Sequence, residues 1–215
     1  MNAEPLKTAV GAAFVGEPHA VPQLLTPTVF GDERGFFFES WNQRSFAAAL
    51  GLGAGQAPTF VQDNHSRSAQ GVLRGLHYQL PPHPQGKLVR CVVGEIFDVA
   101  VDLRRSSASF GHWAGAVLSA QNQQQLWVPP GFAHGFLTLS EQAEVLYKTT
   151  DFWSKACERA IRWDDPELGI VWPHITGPQI SWPTASGTPF KPLLAPKDTA
   201  APTLAEAQSQ GDIFP

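Results

Sequence analysis

One short stretch, Gly71-Val-Leu-Arg-Gly-Leu-His-Tyr-Gln-Leu-Pro-Pro-His-Pro-Gln-Gly-Lys87, supplies an imidazole (His77), a guanidinium (Arg74) and an ammonium (Lys87). A base beside two fixed cations suits carbanion chemistry on a phosphorylated substrate. The base takes a proton from carbon, one cation holds the resulting oxyanion, and the other holds phosphate. Imidazole changes charge near neutral pH, so it can act as an unprotonated base in the cell. If the stretch is a strand, strict pleating puts Leu73, Gly75 and His77 on one side and Arg74, Leu76 and Tyr78 on the other. For Arg74 and His77 to face one pocket, the strand must twist or bulge at Gly75.

The elements around this stretch read as strands. Phe97, Val99, Val101 and Leu103 alternate with Asp98, Ala100 and Asp102, which predicts a strand with one apolar face. Lys87–Val93, Trp113–Ser119, Gln124–Val128, Gly135–Leu139 and Ala143–Thr149 are further strands. Gly94-Glu95, Ser106-Ser107 and Pro129-Pro130-Gly131 punctuate them. One helix is expected at Asn42–Leu50, with Ser40 or Asn42 as N-cap and Gly51 beyond its end. Nineteen Gly and 19 Pro beside 14 Phe and 7 Trp fit many short strands joined by tight turns. Strand after strand with little helix predicts an all-β, antiparallel sandwich or barrel. Trp113, Trp127 and Phe132 are expected in its core.

The 215 residues are long enough for one domain with a sizeable core. We expect an N-terminal extension over 1–22, partly disordered, a domain over 23–175, and an extended, wrapping, proline-rich tail over 176–215. Charged residues make up only 16% of the chain and the net charge is −4, which argues against an electrostatic nucleic-acid binder. No apolar run approaches the roughly 18 residues of a membrane span. The N-terminal residues lack the basic and apolar regions of a signal peptide. Neither Cys91 nor Cys157 belongs to a CxxC pair, so a reduced, cytoplasmic setting is expected.

Several blocks occur in a fixed order: Val29-Phe-Gly-Asp-Glu-Arg-Gly-Phe-Phe-Phe-Glu-Ser40, Phe60-Val-Gln-Asp-Asn-His-Ser66, Arg74-Gly-Leu-His77, Gln85-Gly-Lys87, Phe97-Asp-Val-Ala-Val-Asp-Leu-Arg104, Gln125-Leu-Trp-Val-Pro-Pro-Gly-Phe-Ala-His-Gly-Phe136 and Leu146-Tyr-Lys148. Together they resemble the dTDP-4-dehydrorhamnose 3,5-epimerase family, from about residue 24 to 172, with a weaker match at Ala195-Pro-Lys-Asp198. The resemblance implies a cupin-type jelly roll, a homodimer, no metal or other cofactor, and a dTDP-4-keto-6-deoxy sugar as substrate. It makes His77 the general base, paired with Asp198. Lys87 stands by the sugar carbonyl oxygen, and Tyr147 is the general acid on the other face of the ring. Arg74, Gln62, Asn64, Glu39, His134, Glu158 and Lys197 line the nucleotide-sugar site, and Arg34 reaches it from the partner chain. The chain departs from the family where Phe152-Trp153 replaces two tyrosines and Lys155 replaces a proline. The segment Ser181–Pro192 and the first twenty residues are also longer than usual.

Hydrogens on C3 and C5 of a 4-keto hexose lie beside the ketone, so removing either gives an enolate. Lys87 is a compact donor for that charge. A carboxylate on the far nitrogen of His77 fixes its tautomer. A phenolate left at Tyr147 would gain from Lys148 or Arg74. Blander roles stand beside these. His77 could be a structural histidine, Lys87 a solvated lysine, Tyr147 a core tyrosine, and Asp198 an ordinary tail residue. Arg74 could pair with Glu95 or Asp98. His65, His77, His83 and His134 could be imagined as metal ligands, but the His-x-His pair of metal cupins is missing, because residue 79 is Gln. Two other functions share the features: an epimerase or ketoisomerase acting at one carbon of another dTDP-deoxysugar, and a non-catalytic carbohydrate-binding jelly roll.

Overall fold

The computed structural model describes residues 1–6, 14, 16–53, 55–176, 179–181 and 191–215. In chain order the strands are β1 (Asn2–Pro5), β2 (Gln23–Thr26), β3 (Phe30–Asp32), β4 (Gly35–Phe37), β5 (Gln62–Ala69), β6 (Leu73–Gln79), β7 (Lys87–Val93), β8 (Glu95–Asp102), β9 (Trp113–Ser119), β10 (Gln125–Val128), β11 (Phe132–Thr138), β12 (Gln142–Thr149), β13 (Glu158–Ala160), β14 (His174–Thr176) and β15 (Gln179–Ser181). The helices are α1 (Gln43–Ala49), α2 (Pro196–Thr199) and α3 (Leu204–Gln210). A six-stranded sheet runs β1-β2-β10-β7-β12-β5 and a five-stranded sheet runs β13-β6-β11-β8-β9. All named pairings are antiparallel, and the architecture is a jelly roll.

Three apolar layers hold it. Between the sheets, Val89, Cys91, Leu126, Val128 and Val145 meet Ile96, Ala100, Leu118 and Phe132. Outside the six-stranded sheet, Phe46 of α1 and its C-cap Leu50 pack on Leu25, Leu88 and Trp127. Outside the five-stranded sheet, Phe97, Val99, Val101 and Leu103 pack with Leu204, Ala207, Ile213 and Phe214 of the C-terminal segment. The apolar face of β8 therefore meets the tail. Its other face is buried too, with Asp98 and Asp102 fully enclosed. Asp102 tolerates burial because Arg104, Ser107 and Ser109 all donate to it.

β7 and β9 match the expected strands; β11 begins already at Phe132. Trp113, Trp127 and Phe132 are buried. The helix forms with Asn42 as N-cap, accepting from the amides of Arg44 and Ser45. The tail is not simply extended. Thr203 and Glu206 make a reciprocal capping box that starts α3, and Gly211 ends it at φ 75°. At the other end, Asn2–Pro5 is a strand paired with β2. The rest of the expected extension falls partly, and the insertion after Ser181 almost wholly, outside the described residues.

Candidate active site

β6 solves the pleating problem with a bulge. Its register against β11 runs His77↔His134, then Arg74↔Phe136, so β6 carries one residue more than its partner. Gly75 sits at φ 120°, where a Cβ would come within 2.6 Å of Gly135 Cα. After the bulge, Leu73, Leu76 and Tyr78 all join the outer core. Arg74 and His77 line one cavity of about 490 Å³ between the sheets.

The cavity walls come from both sheets and the tail. His77, Arg74, His134 and Glu158 belong to the five-stranded sheet, while Lys87, Tyr147 and Ser66 belong to the six-stranded sheet. Lys197 and Asp198 arrive on α2. An adjoining space of about 110 Å³ shares His77, Lys87 and Tyr147 and adds Gln62, Asn64 and Gln79.

His77 Nε2 lies 2.6 Å from Asp198 Oδ1, and Asp198 is buried. A carboxylate only accepts, so Nε2 carries the hydrogen and Nδ1 is left as the free base. α2 is held upstream by Leu193, whose N–H donates to Gly71 O and whose carbonyl accepts from Leu73 N–H. Downstream, Arg162 N–H donates to Pro202 O, and Asp165 Oδ2 accepts from Leu204 N–H at 2.5 Å.

Lys87 Nζ donates to His77 O at 3.1 Å. Burial pulls its pKa down to about 8, against the fields of Asp98 and Glu158. Its ammonium thus exists at neutral pH yet is poorly solvated. His134 Nε2 lies 2.6 Å from Asp98 Oδ1, and burial holds this histidine below its usual pKa despite that carboxylate. Burial raises the pKa of Tyr147; Arg74 opposes and Glu158 adds to the rise, so the phenol keeps its proton. Glu158 accepts from Lys197 at 3.0 Å. Burial lifts its carboxyl, but Lys197, His77 and a hydrogen bond from the Trp153 side chain outweigh it, and the net shift is downward.

Arg74 Nε donates to Ser68 Oγ at 2.9 Å and its Nη2 to Arg67 O at 3.2 Å, so its alternative pairing with Glu95 or Asp98 is not made. Lys148 pairs with Asp63 at 2.9 Å and does not line the main cavity; Arg74 is the cation that acts on Tyr147. Each histidine that resembled a metal ligand has its own carboxylate: His65 with Glu144, His83 with Asp151, His77 with Asp198, His134 with Asp98.

Two expected residues stand apart. Glu39 is exposed, accepts from Asn42 Nδ2 at 3.1 Å, and does not line the cavity of its own chain. Arg34 lies on the exposed β3–β4 hairpin, its backbone N–H bonded to Asp32 at 2.9 Å. The sequence reading missed Asp98 as a site carboxylate, and Ser66, whose buried Oγ has no partner among the described residues. Asp98 lay in the strand alternation, and its burial beside His134 required the sheet pairing to be known.

A family model described as dTDP-4-dehydrorhamnose 3,5-epimerase matches residues 21–206. A dTDP-4-dehydrorhamnose 3,5-epimerase of Pseudomonas aeruginosa is 60% identical over 173 residues, which cover 80% of this chain and 93% of that protein. The crystal structure of a dTDP-6-deoxy-D-glucose-3,5-epimerase from Legionella pneumophila Philadelphia 1, in complex with dTDP-4-keto-L-rhamnose, aligns with a TM-score of 0.78 at 39% identity. That alignment covers 99% of this chain and 98% of the other. A 3'-monoepimerase from Streptomyces bikiniensis in complex with dTDP-quinovose aligns at 0.76 and 31% identity, over 90% and 88% of the two chains.

Proposed function

The chain belongs to the dTDP-4-dehydrorhamnose 3,5-epimerase family, and from that premise we propose how its own residues perform the reaction. The substrate is dTDP-4-dehydro-6-deoxy-D-glucose and the product dTDP-4-dehydro-L-rhamnose. His77 Nδ1 removes the hydrogen beside the ketone, and the imidazolium so formed is stabilised by Asp198 across 2.6 Å. Charge moves to the carbonyl oxygen, where the Lys87 ammonium donates. Tyr147, still protonated, returns a proton to the opposite face.

The observation that carries this assignment is the origin of the two groups. His77 comes from β6 of one sheet and Tyr147 from β12 of the other, and both line the same cavity. A flat enolate held between the sheets thus meets a base on one face and an acid on the other. Arg74 and Lys197 add positive charge for the diphosphate. Trp153 lines the cavity with its indole more than half exposed and offers a stacking face for the base. The assembly in this reading is a homodimer. Phe30, Phe36 and Phe37 are each more than 60% exposed on the hairpin that bears Arg34, an apolar surface suited to a second copy.

Turnover in heavy water tests the assignment. Wild-type protein given the 4-keto-6-deoxyglucose nucleotide should incorporate deuterium at C3 and C5; incorporation at one carbon alone marks a monoepimerase. Tyr147→Phe should still exchange a ring hydrogen while product falls sharply. Equal loss of both signals would move Tyr147 from proton donor to binding.

A further inference from the structure

Gln79 stands where a metal-binding cupin strand would carry its second histidine, and here it holds backbone instead. It follows His77 by one pleat on β6, so both point inward. Its amide is fully engaged. Nε2 donates to His83 O at 2.7 Å and to Phe152 O at 3.2 Å, and Oε1 accepts from Ser154 N–H at 2.7 Å. Between these two contacts, Trp153 N–H donates to Gln62 Oε1 at 3.1 Å. The 152–154 segment lies between β12 and β13 and belongs to neither strand, so side-chain amides from both sheets take the place of a ladder. The Trp153 ring is 55% exposed, so packing does little to hold it. Its direction is set by the backbone that Gln79 brackets, together with the side-chain hydrogen bond to Glu158.

We propose that Gln79 is a positioning residue that fixes the 152–154 segment, so that the Trp153 indole stands over the cavity mouth as the stacking face for the nucleobase. The inference rests on reading this cavity as the dTDP-sugar site. Losing Gln79 frees Phe152 O and Ser154 N–H and lets the segment sample other conformations, and binding the base must then order it. The cost falls on nucleotide affinity.

The test is calorimetric binding of dTDP to wild type, Gln79→Met, Trp153→Ala and the double variant. Gln79→Met should bind about tenfold more weakly, the scale of a lost hydrogen bond or two. The double variant should be no weaker than Trp153→Ala alone, because a misplaced platform cannot matter once the platform is gone. Wild-type affinity in Gln79→Met, or a full additive loss in the double variant, overturns the inference. A wild-type protein that does not bind dTDP takes down the site reading, and this inference with it. If Gln79→Met does not fold, amide exchange in the wild type decides. Slow exchange of the Ser154 amide supports the clamp; exchange at the rate of a free loop amide overturns it.

Discussion

Replacing Asp198 by Asn tests the base assignment at one atom's distance. The side chain keeps its size, so the buried site on α2 remains filled. What changes is the partner of His77 Nε2. If the new amide turns its NH₂ toward the ring, Nε2 must accept, the imidazole hydrogen moves to Nδ1, and the base is silenced. If it turns its oxygen, the tautomer survives but the imidazolium loses its counter-charge. Two unit charges at 2.6 Å attract by about 6 kcal/mol at an effective dielectric near 20. Part of that is offset by the carboxylate's own desolvation, which leaves about 3–5 kcal/mol on the barrier, or roughly 10²–10⁴ in kcat. KM should change little, because the carboxylate acts through the imidazole and not on the substrate. Proton NMR in heavy water reads exchange and product in one sample. Both should fall together, since proton removal itself is slowed, which separates this variant from Tyr147→Phe. A folded Asp198→Asn protein with kcat within about threefold of wild type would falsify the dyad.

Lys87 acts as its ammonium, and its pKa of about 8 places the loss of that charge within reach. kcat/KM should fall as pH rises through about 8, and Lys87→Arg, charged throughout, should lose that limb from the profile at a lower plateau. Asp165 accepts from the amides of Leu204 and Glu167 while buried. Asp165→Ala should cost about 2–4 kcal/mol, lower Tm by roughly 5–15 °C, and reduce kcat by loosening the segment downstream of Asp198; an unchanged Tm contradicts the clamp. Mixing Arg34→Ala and His77→Ala chains should restore activity if one protomer's hairpin completes its neighbour's site, and well-formed mixed dimers without recovery count against sharing.

Local chemistry was legible where one residue decides it. The helix with Ser40 or Asn42 as its N-cap, the Gly51 stop and the bounds of β7 and β9 needed nothing from the rest of the chain; the structure selects Asn42. The bulge in β6 was also legible, because only a register change lets Arg74 and His77 share a pocket, and Gly75 tolerates φ 120°. The prolines of the tail favour an extended chain, and they outweigh its helix signals in a local reading. The capping signature Thr203-x-x-Glu206 was present and decides α3. The polar face of β8 was harder. Period two announces which residues share a face, but not that both faces are covered. The polar face is covered by the six-stranded sheet and the apolar face by the C-terminal segment, both set by residues far away in the chain.

That dependence also explains why the site's charge balance was not readable. Lys87, Arg74 and Lys197 bring positive charge to the cavity, and each has a different answer to burial. Lys197 is neutralised by Glu158 at 3.0 Å. Arg74 is held by Ser68 and a backbone carbonyl, which orient the guanidinium without cancelling its charge. Among the described residues Lys87 is bonded only to a carbonyl, with Asp98 acting at longer range. Asp98 in turn is turned toward His134 and leaves Oδ2 without a partner among the described residues. The two cations that are not neutralised by direct contact are Arg74, one of the pair assigned to the diphosphate, and Lys87, assigned to the enolate oxygen. An anionic substrate can supply the missing negative charge at both places, so binding relieves an imbalance built into the empty fold. The same two side chains, matched by carboxylates, would stabilise the apo protein and weaken its grip on the transition state.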